Sequence, residues 1–178
     1  YENNEWLWPY RENDSLGGHD PYSASKACAE IAGAAYRNSF LADANIHLAS
    51  VRAGNVIVGG DWATDRLIPD FLRALDAGKT LTIRSPSAVR PWQHVLEPLS
   101  GYLMLAEKLY EEGEVFAEAW NFGPNDEDAK SVGWIVEQLC AQIPDARWET
   151  ENAKQPHEAS LLKLDSSKAN AKLSWTPR

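Results

Sequence analysis

Apolar and polar positions along the chain change period several times, and the changes mark out its elements. Residues 1–19 mix aromatic and charged side chains with no clear period and close on Gly17-Gly18, which reads as loop. A helix is predicted from Pro21 to about residue 40, with Ala24, Cys28, Ala32 and Ala35 forming a small-residue face suited to the core or to a dimer seam. The apolar stretch 46–51 then predicts a buried parallel strand that runs out into a glycine-rich loop, Arg52-Ala53-Gly54-Asn55-Val56-Ile57-Val58-Gly59-Gly60. Residues 67–77 predict an amphipathic helix ended by Gly78, and 81–83 a short strand. Residues 90–95 lead into a helix through roughly residue 110, and 119–124 read as a short strand leaving into a turn. Ser131 is placed to cap a helix ending near residue 142. Residues 161–164 are strand-like, and residues 165–168 cap a last short helix ending near residue 173. Such alternation of helices and strands predicts the α/β class.

Composition narrows the chemistry. At 178 residues with 44% apolar content and eight tryptophans, the chain can bury one core. A net charge of −9 argues against broad nucleic-acid binding, yet a few converging arginines can hold a diphosphate in an acidic protein. Cys28 and Cys140 offer neither metal-ligand spacing nor a disulfide framework. No apolar run reaches the ~18 residues of a membrane span, and no secretory signal is present, so a cytoplasmic location is expected. The chain opens at Tyr1 without Met and stops just after a helix, as an internal piece of a longer protein would.

One stretch carries distinctive chemistry: Asp20-Pro21-Tyr22-Ser23-Ala24-Ser25-Lys26. Asp20 followed by Pro21 is a helix start, and Tyr22 and Lys26, four apart, rise from one face. An ammonium beside a phenol favours phenolate and so moves it toward use as a base. Spacing alone suits an exposed helical pair better than a catalytic one. Asn55 falls where a strand's carboxyl end would face a ligand, and equally suits a turn residue bonding its own backbone. No strand–glycine-rich turn–helix unit for a dinucleotide is present.

The neighbouring residues add a resemblance. Pro-Tyr-Ser-Ala-Ser-Lys after Gly17-Gly18-His19-Asp20 resembles the extended short-chain dehydrogenase/reductases that act on nucleotide sugars. Ser50-Val51-Arg52-Ala53-Gly54-Asn55-Val56, Gly59-Gly60-Asp61-Trp62, Arg66-Leu67-Ile68-Pro69-Asp70 and the run from Arg90-Pro91-Trp92-Gln93-His94 to Leu103 together resemble the CDP-glucose 4,6-dehydratase family. That resemblance implies the carboxyl-terminal part of a Rossmann-like fold, a parallel sheet with flanking helices plus a smaller substrate-binding α/β lobe. Residues 1–60 would be the remnant of the NAD-binding domain. Residues 61–178 would form mainly the nucleotide-sugar lobe, with segments returning to the sheet.

The activity so implied is NAD-dependent conversion of CDP-glucose to CDP-4-keto-6-deoxyglucose, a step of deoxysugar and O-antigen biosynthesis. By the same resemblance Tyr22 is the catalytic base, and Lys26 lowers its pKa and bonds the nicotinamide ribose. Asn55, Arg66, Arg90, Asn121, His157 and Glu158 would contact the sugar nucleotide. Several of these have plainer roles open: a surface ion pair for Arg66, a turn for Asn121, a solvated loop for His157. Trp62 and Trp92 suit either site or core. The small-residue face of the first helix leads to the expectation of a homo-oligomer formed through residues 22–40. The resemblance sets the family's Thr and its Asp-Lys acid/base pair before Tyr1, so that the isolated piece is expected to be inactive. A nucleotide-sugar epimerase or reductase, or a noncatalytic sugar-nucleotide-binding fragment, would share the Tyr22/Lys26 pair.

Overall fold

Two short parallel ladders meet at Gly54. In a computed structural model, which describes residues 1–151 and 159–178, β1 (Ser50–Ala53) pairs parallel with β5 (Ala119–Phe122). One residue later the chain changes partner, and β2 (Asn55–Ile57) pairs parallel with β4 (Val89–His94). The Gly54 N–H still bonds the Phe122 carbonyl at 3.2 Å. A side chain there would overlap the Pro91 carbonyl, so glycine is what allows the switch. On its other edge β4 takes β6 (Ala129–Ser131) antiparallel, and β3 (Leu81–Ile83) pairs parallel with β7 (Trp148–Thr150).

Helices cover these ladders around two cores. The first joins α3 (Leu96–Glu112), β5 and α5 (Ser167–Leu173) through Leu105, Phe116, Trp120, Phe122, Ala169, Leu173 and Trp175. Phe122 is its centre, meeting the rings of Trp175 and Tyr102 edge-on at 5.1 and 5.5 Å. The second places Phe71 of α2 (Leu67–Asp76) and Val136 of α4 (Val132–Gln142) on Leu81 and Ile83 of β3. Ser131 caps α4 as predicted, accepting from the Trp134 N–H at 3.1 Å.

Helix α1 (Pro21–Tyr36) starts at the predicted Asp20 cap, whose carboxylate accepts from the Ser23 N–H at 2.9 Å. It is shorter than the predicted span, because residues 37–41 widen into a single π turn. Several other expectations need correcting. The strand predicted at 46–51 begins only at Ser50, where β5 supplies its first partner in Ala119, and Ile46 is exposed. Residues 90–94 form most of a strand that the sequence did not predict, and the expected helix follows it from Leu96. Residues 161–164 make isolated bridges to Val89 and Tyr10 rather than a strand. Strands β6 and β7, three residues each, carry no sequence period of their own.

Candidate active site

Between the β2–β4 ladder and the β3–α2 layer lies an open cavity of about 780 Å³. Four of the residues singled out in the sequence line it together: Tyr22, Asn55, Arg66 and Arg90. Each arrives from a different element. Tyr22 comes from the first turn of α1 and Asn55 from the start of β2, while Arg66 stands just before α2 and Arg90 lies in β4. The cavity takes one wall from the length of β2 and the first half of β4, and the other from the residues at and just past the ends of β3 and β7.

Tyr22 stands on the rim, 70% exposed, with the Lys26 Nζ 5.6 Å from its ring centroid. The one-turn spacing therefore brings phenol and ammonium together beside the cavity, as the helix start requires. Asp20 holds that start, its carboxyl kept below its ordinary pKa by the Ser23 hydroxyl and backbone N–H.

Arg90 is nearly buried and directs Nη1 to its own strand, onto the Val89 carbonyl at 2.9 Å. Arg66 is exposed, and no ion pair holds it among the described residues. Asp70 is instead taken by Arg73, and Asp65 lies 4.0 Å from Arg84. Arg73 also bonds the Trp62 and Ala63 carbonyls at 2.8 and 3.0 Å, tying down the loop that precedes α2. Trp92 lines the cavity with its indole N–H on the Lys130 carbonyl, whereas Trp62 is largely exposed and reaches neither core.

Charged residues of this wall that were not singled out as site residues in the sequence include Arg84 and Glu151, together with Asp61, Asp65 and Asp70. Arg84 brings a third guanidinium, and Glu151 a carboxylate from the end of β7. The signal for Arg84 was its place just past a short strand, the same position that marked Asn55.

Asn121 lies elsewhere. It has no exposure, its Nδ2 donates to the Tyr10 and Asp165 carbonyls at 2.8 and 3.1 Å, and its Oδ1 accepts from the Tyr1 hydroxyl at 2.6 Å. Those bonds turn its carboxamide into a tie between the first residues and β5, away from the cavity. His157 and Glu158 fall outside the described residues.

Comparison with solved structures gives the fold. An NAD-dependent NDP-hexosamine 5,6-dehydratase of tunicamycin biosynthesis superposes with a TM-score of 0.79 at 21% identity, over 96% of this chain and 52% of the other. The dTDP-glucose 4,6-dehydratase of Bacillus anthracis, in complex with NAD, gives 0.75 at 23% identity, over 96% and 51%. The UDP-glucuronic acid 4-epimerase of Bacillus cereus gives 0.76 at 19% identity, over 95% and 53%. The fold is that of the extended short-chain dehydrogenase/reductase dehydratases and epimerases. The family model described as GDP-mannose 4,6 dehydratase matches residues 6–178, and the chain belongs to that family. It is 57% identical over 184 aligned residues to the CDP-glucose 4,6-dehydratase of Salmonella typhimurium, covering all of this chain and 51% of that protein. The chain thus spans about half the length of the curated relative it matches.

Proposed function

We propose that this chain supplies the proton-transfer and sugar-nucleotide half of a CDP-glucose 4,6-dehydratase. The observation that carries the reading is the sharing of one cavity by the Tyr22 phenol and the Arg66, Arg84 and Arg90 guanidiniums. A nucleotide sugar needs both, because its diphosphate calls for forked cations and its sugar hydroxyl for a base.

In this reading the guanidiniums of Arg66 and Arg90, with the Asn55 carboxamide, hold the diphosphate. That fixes the glucose ring against the rim. Tyr22 takes the proton of the 4-hydroxyl, with the Lys26 ammonium 5.6 Å from its ring centroid on the same helix face. The chemistry supplied by NAD, when bound, would be reversible hydride transfer with the sugar, and Tyr22 and Lys26 are the residues that would hold its nicotinamide end. The residues present fit its nicotinamide end, since a phenol and an ammonium side by side can both reach a ribose hydroxyl. The 4-ketone left by oxidation acidifies the neighbouring carbon, which is what allows water to leave across the 5,6 bond. The partners implied are CDP-glucose and a second copy of the chain packed along residues 22–40.

The test is keto-sugar formation from CDP-glucose with NAD+, run on the longest natural polypeptide that contains this sequence. Tyr22→Phe should lower kcat by about 10²–10⁴-fold without changing the fold, since the hydroxyl sits on an exposed rim. Epimerisation of a UDP-sugar with no loss of water, or full activity in Tyr22→Phe, would overturn the reading.

A further inference from the structure

Little apolar packing fixes the helix that carries Tyr22. Among the described residues of α1 only Ala27 is buried, while Ile31 and Tyr36 face outward. Each residue of slide along a helix axis moves its side chains by about 1.5 Å, so the height of α1 decides where Tyr22 stands.

Tyr22, Lys26 and Glu30 stand at i, i+4 and i+8, so one stripe of α1 carries all three. The lower end of that stripe is gripped. Arg52 of β1 bonds both Glu30 carboxylate oxygens through Nε, at 2.7 and 2.9 Å, and Oε2 again through Nη2 at 2.6 Å. Arg52 is itself held rigidly. Its side chain is 11% exposed, Nη1 donates to the Glu12 carbonyl at 3.2 Å, and the guanidinium lies 4.6 Å from the Tyr1 ring centroid. The Tyr1 hydroxyl continues the chain of bonds to Asn121 on β5, buried between both strands and the first loop. Three residues beyond Arg52, on the same run of backbone, Asn55 lines the cavity.

We infer that Arg52, through Glu30, is a positioning residue that sets the height of the Tyr22–Lys26 stripe against the Asn55 wall of the cavity. An arginine is required because only its planar fork fixes a carboxylate in two directions at once. A lysine would keep the charge and lose the register. The kinetic consequence rests on the dehydratase reading above, but the clamp itself does not.

Both are tested in the longest natural polypeptide containing this chain, with Arg52→Lys, Glu30→Gln, the double variant and wild type. Amide hydrogen exchange should quicken about tenfold or more over residues 21–36 and stay unchanged over Leu96–Glu112. For keto-sugar formation from CDP-glucose with NAD+, kcat should fall about 30–100-fold while KM moves less than about threefold. The double variant should be no worse than either single one, as expected when two residues act only through each other. If Arg52→Lys does not fold, Glu30→Gln alone decides. Unchanged exchange in α1 overturns the clamp. Faster exchange with unaltered kcat, or kcat falling only in step with lost folded protein, overturns the positioning role. Should wild type form no keto-sugar, the dehydratase reading fails, and the exchange arm still decides whether Arg52 fixes α1.

Discussion

The side chain of Asn121 has no contact with solvent, and each of its bonds reaches a distant part of the chain: Tyr1, Tyr10 and Asp165, at separations of 120, 111 and 44 residues. Truncation would take this partner from the Asp165 carbonyl and the Tyr1 hydroxyl, while the Tyr10 carbonyl would keep the Asp165 N–H at 2.9 Å. Asn121→Ala should therefore destabilise the protein by about 2–4 kcal/mol in chemical denaturation, with m little changed. A cost below about 0.5 kcal/mol would show that water replaces the carboxamide freely. The case also marks a limit of reading residues singly. A motif can put an asparagine at a strand's end, but whether its amide is free for a ligand depends on groups more than a hundred positions away. Tyr22 and Lys26 posed no such problem, since a helix start and a four-residue spacing fix their relation locally.

At the scale of elements, the helices were legible because their periods are long and their caps chemically explicit, as at Asp20 and Ser131. Strand β4 was not, because Pro91 argues against a strand that is paired on both sides. The structure resolves the conflict by register. The ladder to β2 begins only at Trp92, and Pro91 forms the last pair with β6, so its missing N–H falls where the ladders end. The seam between α3 and β5 makes a sharper prediction. A methyl at Gly101 would overlap the Phe122 ring, the centre of the first core. Gly101→Ala should cost about 1–3 kcal/mol despite its better helix propensity, seen as a lower Tm.

Helix α5 is tied down electrostatically. Glu118 bonds Lys168 at 2.9 Å and Lys172 at 3.0 Å, and Lys168 also lies 4.4 Å from the Trp120 ring centroid. Burial pushes the Glu118 carboxyl up, but the two lysines outweigh it and hold it below its ordinary value near 4.5. Asp165, ahead of the same helix, is also pushed up by burial and held lower on balance by Ser167 and Arg11. A carboxylate with a depressed folded pKa stabilises above its unfolded value, and that contribution is lost as pH falls through the folded one. Thermal melts should therefore show Tm falling as pH drops below about 4.5. Glu118→Gln should remove part of that acid dependence.

The whole molecule presents more apolar surface than its acidic composition suggests. Ile31, Tyr36 and Phe40 on the outer side of α1 and its π turn, Ile46 in the loop that follows and Val51 on β1 are between 40% and 64% exposed. Among the described residues β1 is paired along one edge only, by β5. Exposed apolar side chains beside an open strand edge invite a second copy, while a net charge of −9 on each copy opposes the approach. The balance should respond to salt. Screening weakens the repulsion over a Debye length of ~8 Å at physiological ionic strength and leaves the apolar contact intact. Sedimentation of the 19.8 kDa chain should thus show self-association that strengthens from low to moderate salt. Placing carboxylates in the contact, as Ile31→Glu with Phe40→Glu, should return it to monomer without lowering Tm, since both side chains are already exposed. A monodisperse, cooperatively melting wild-type monomer at all salt concentrations would exclude residues 22–40 as the seam.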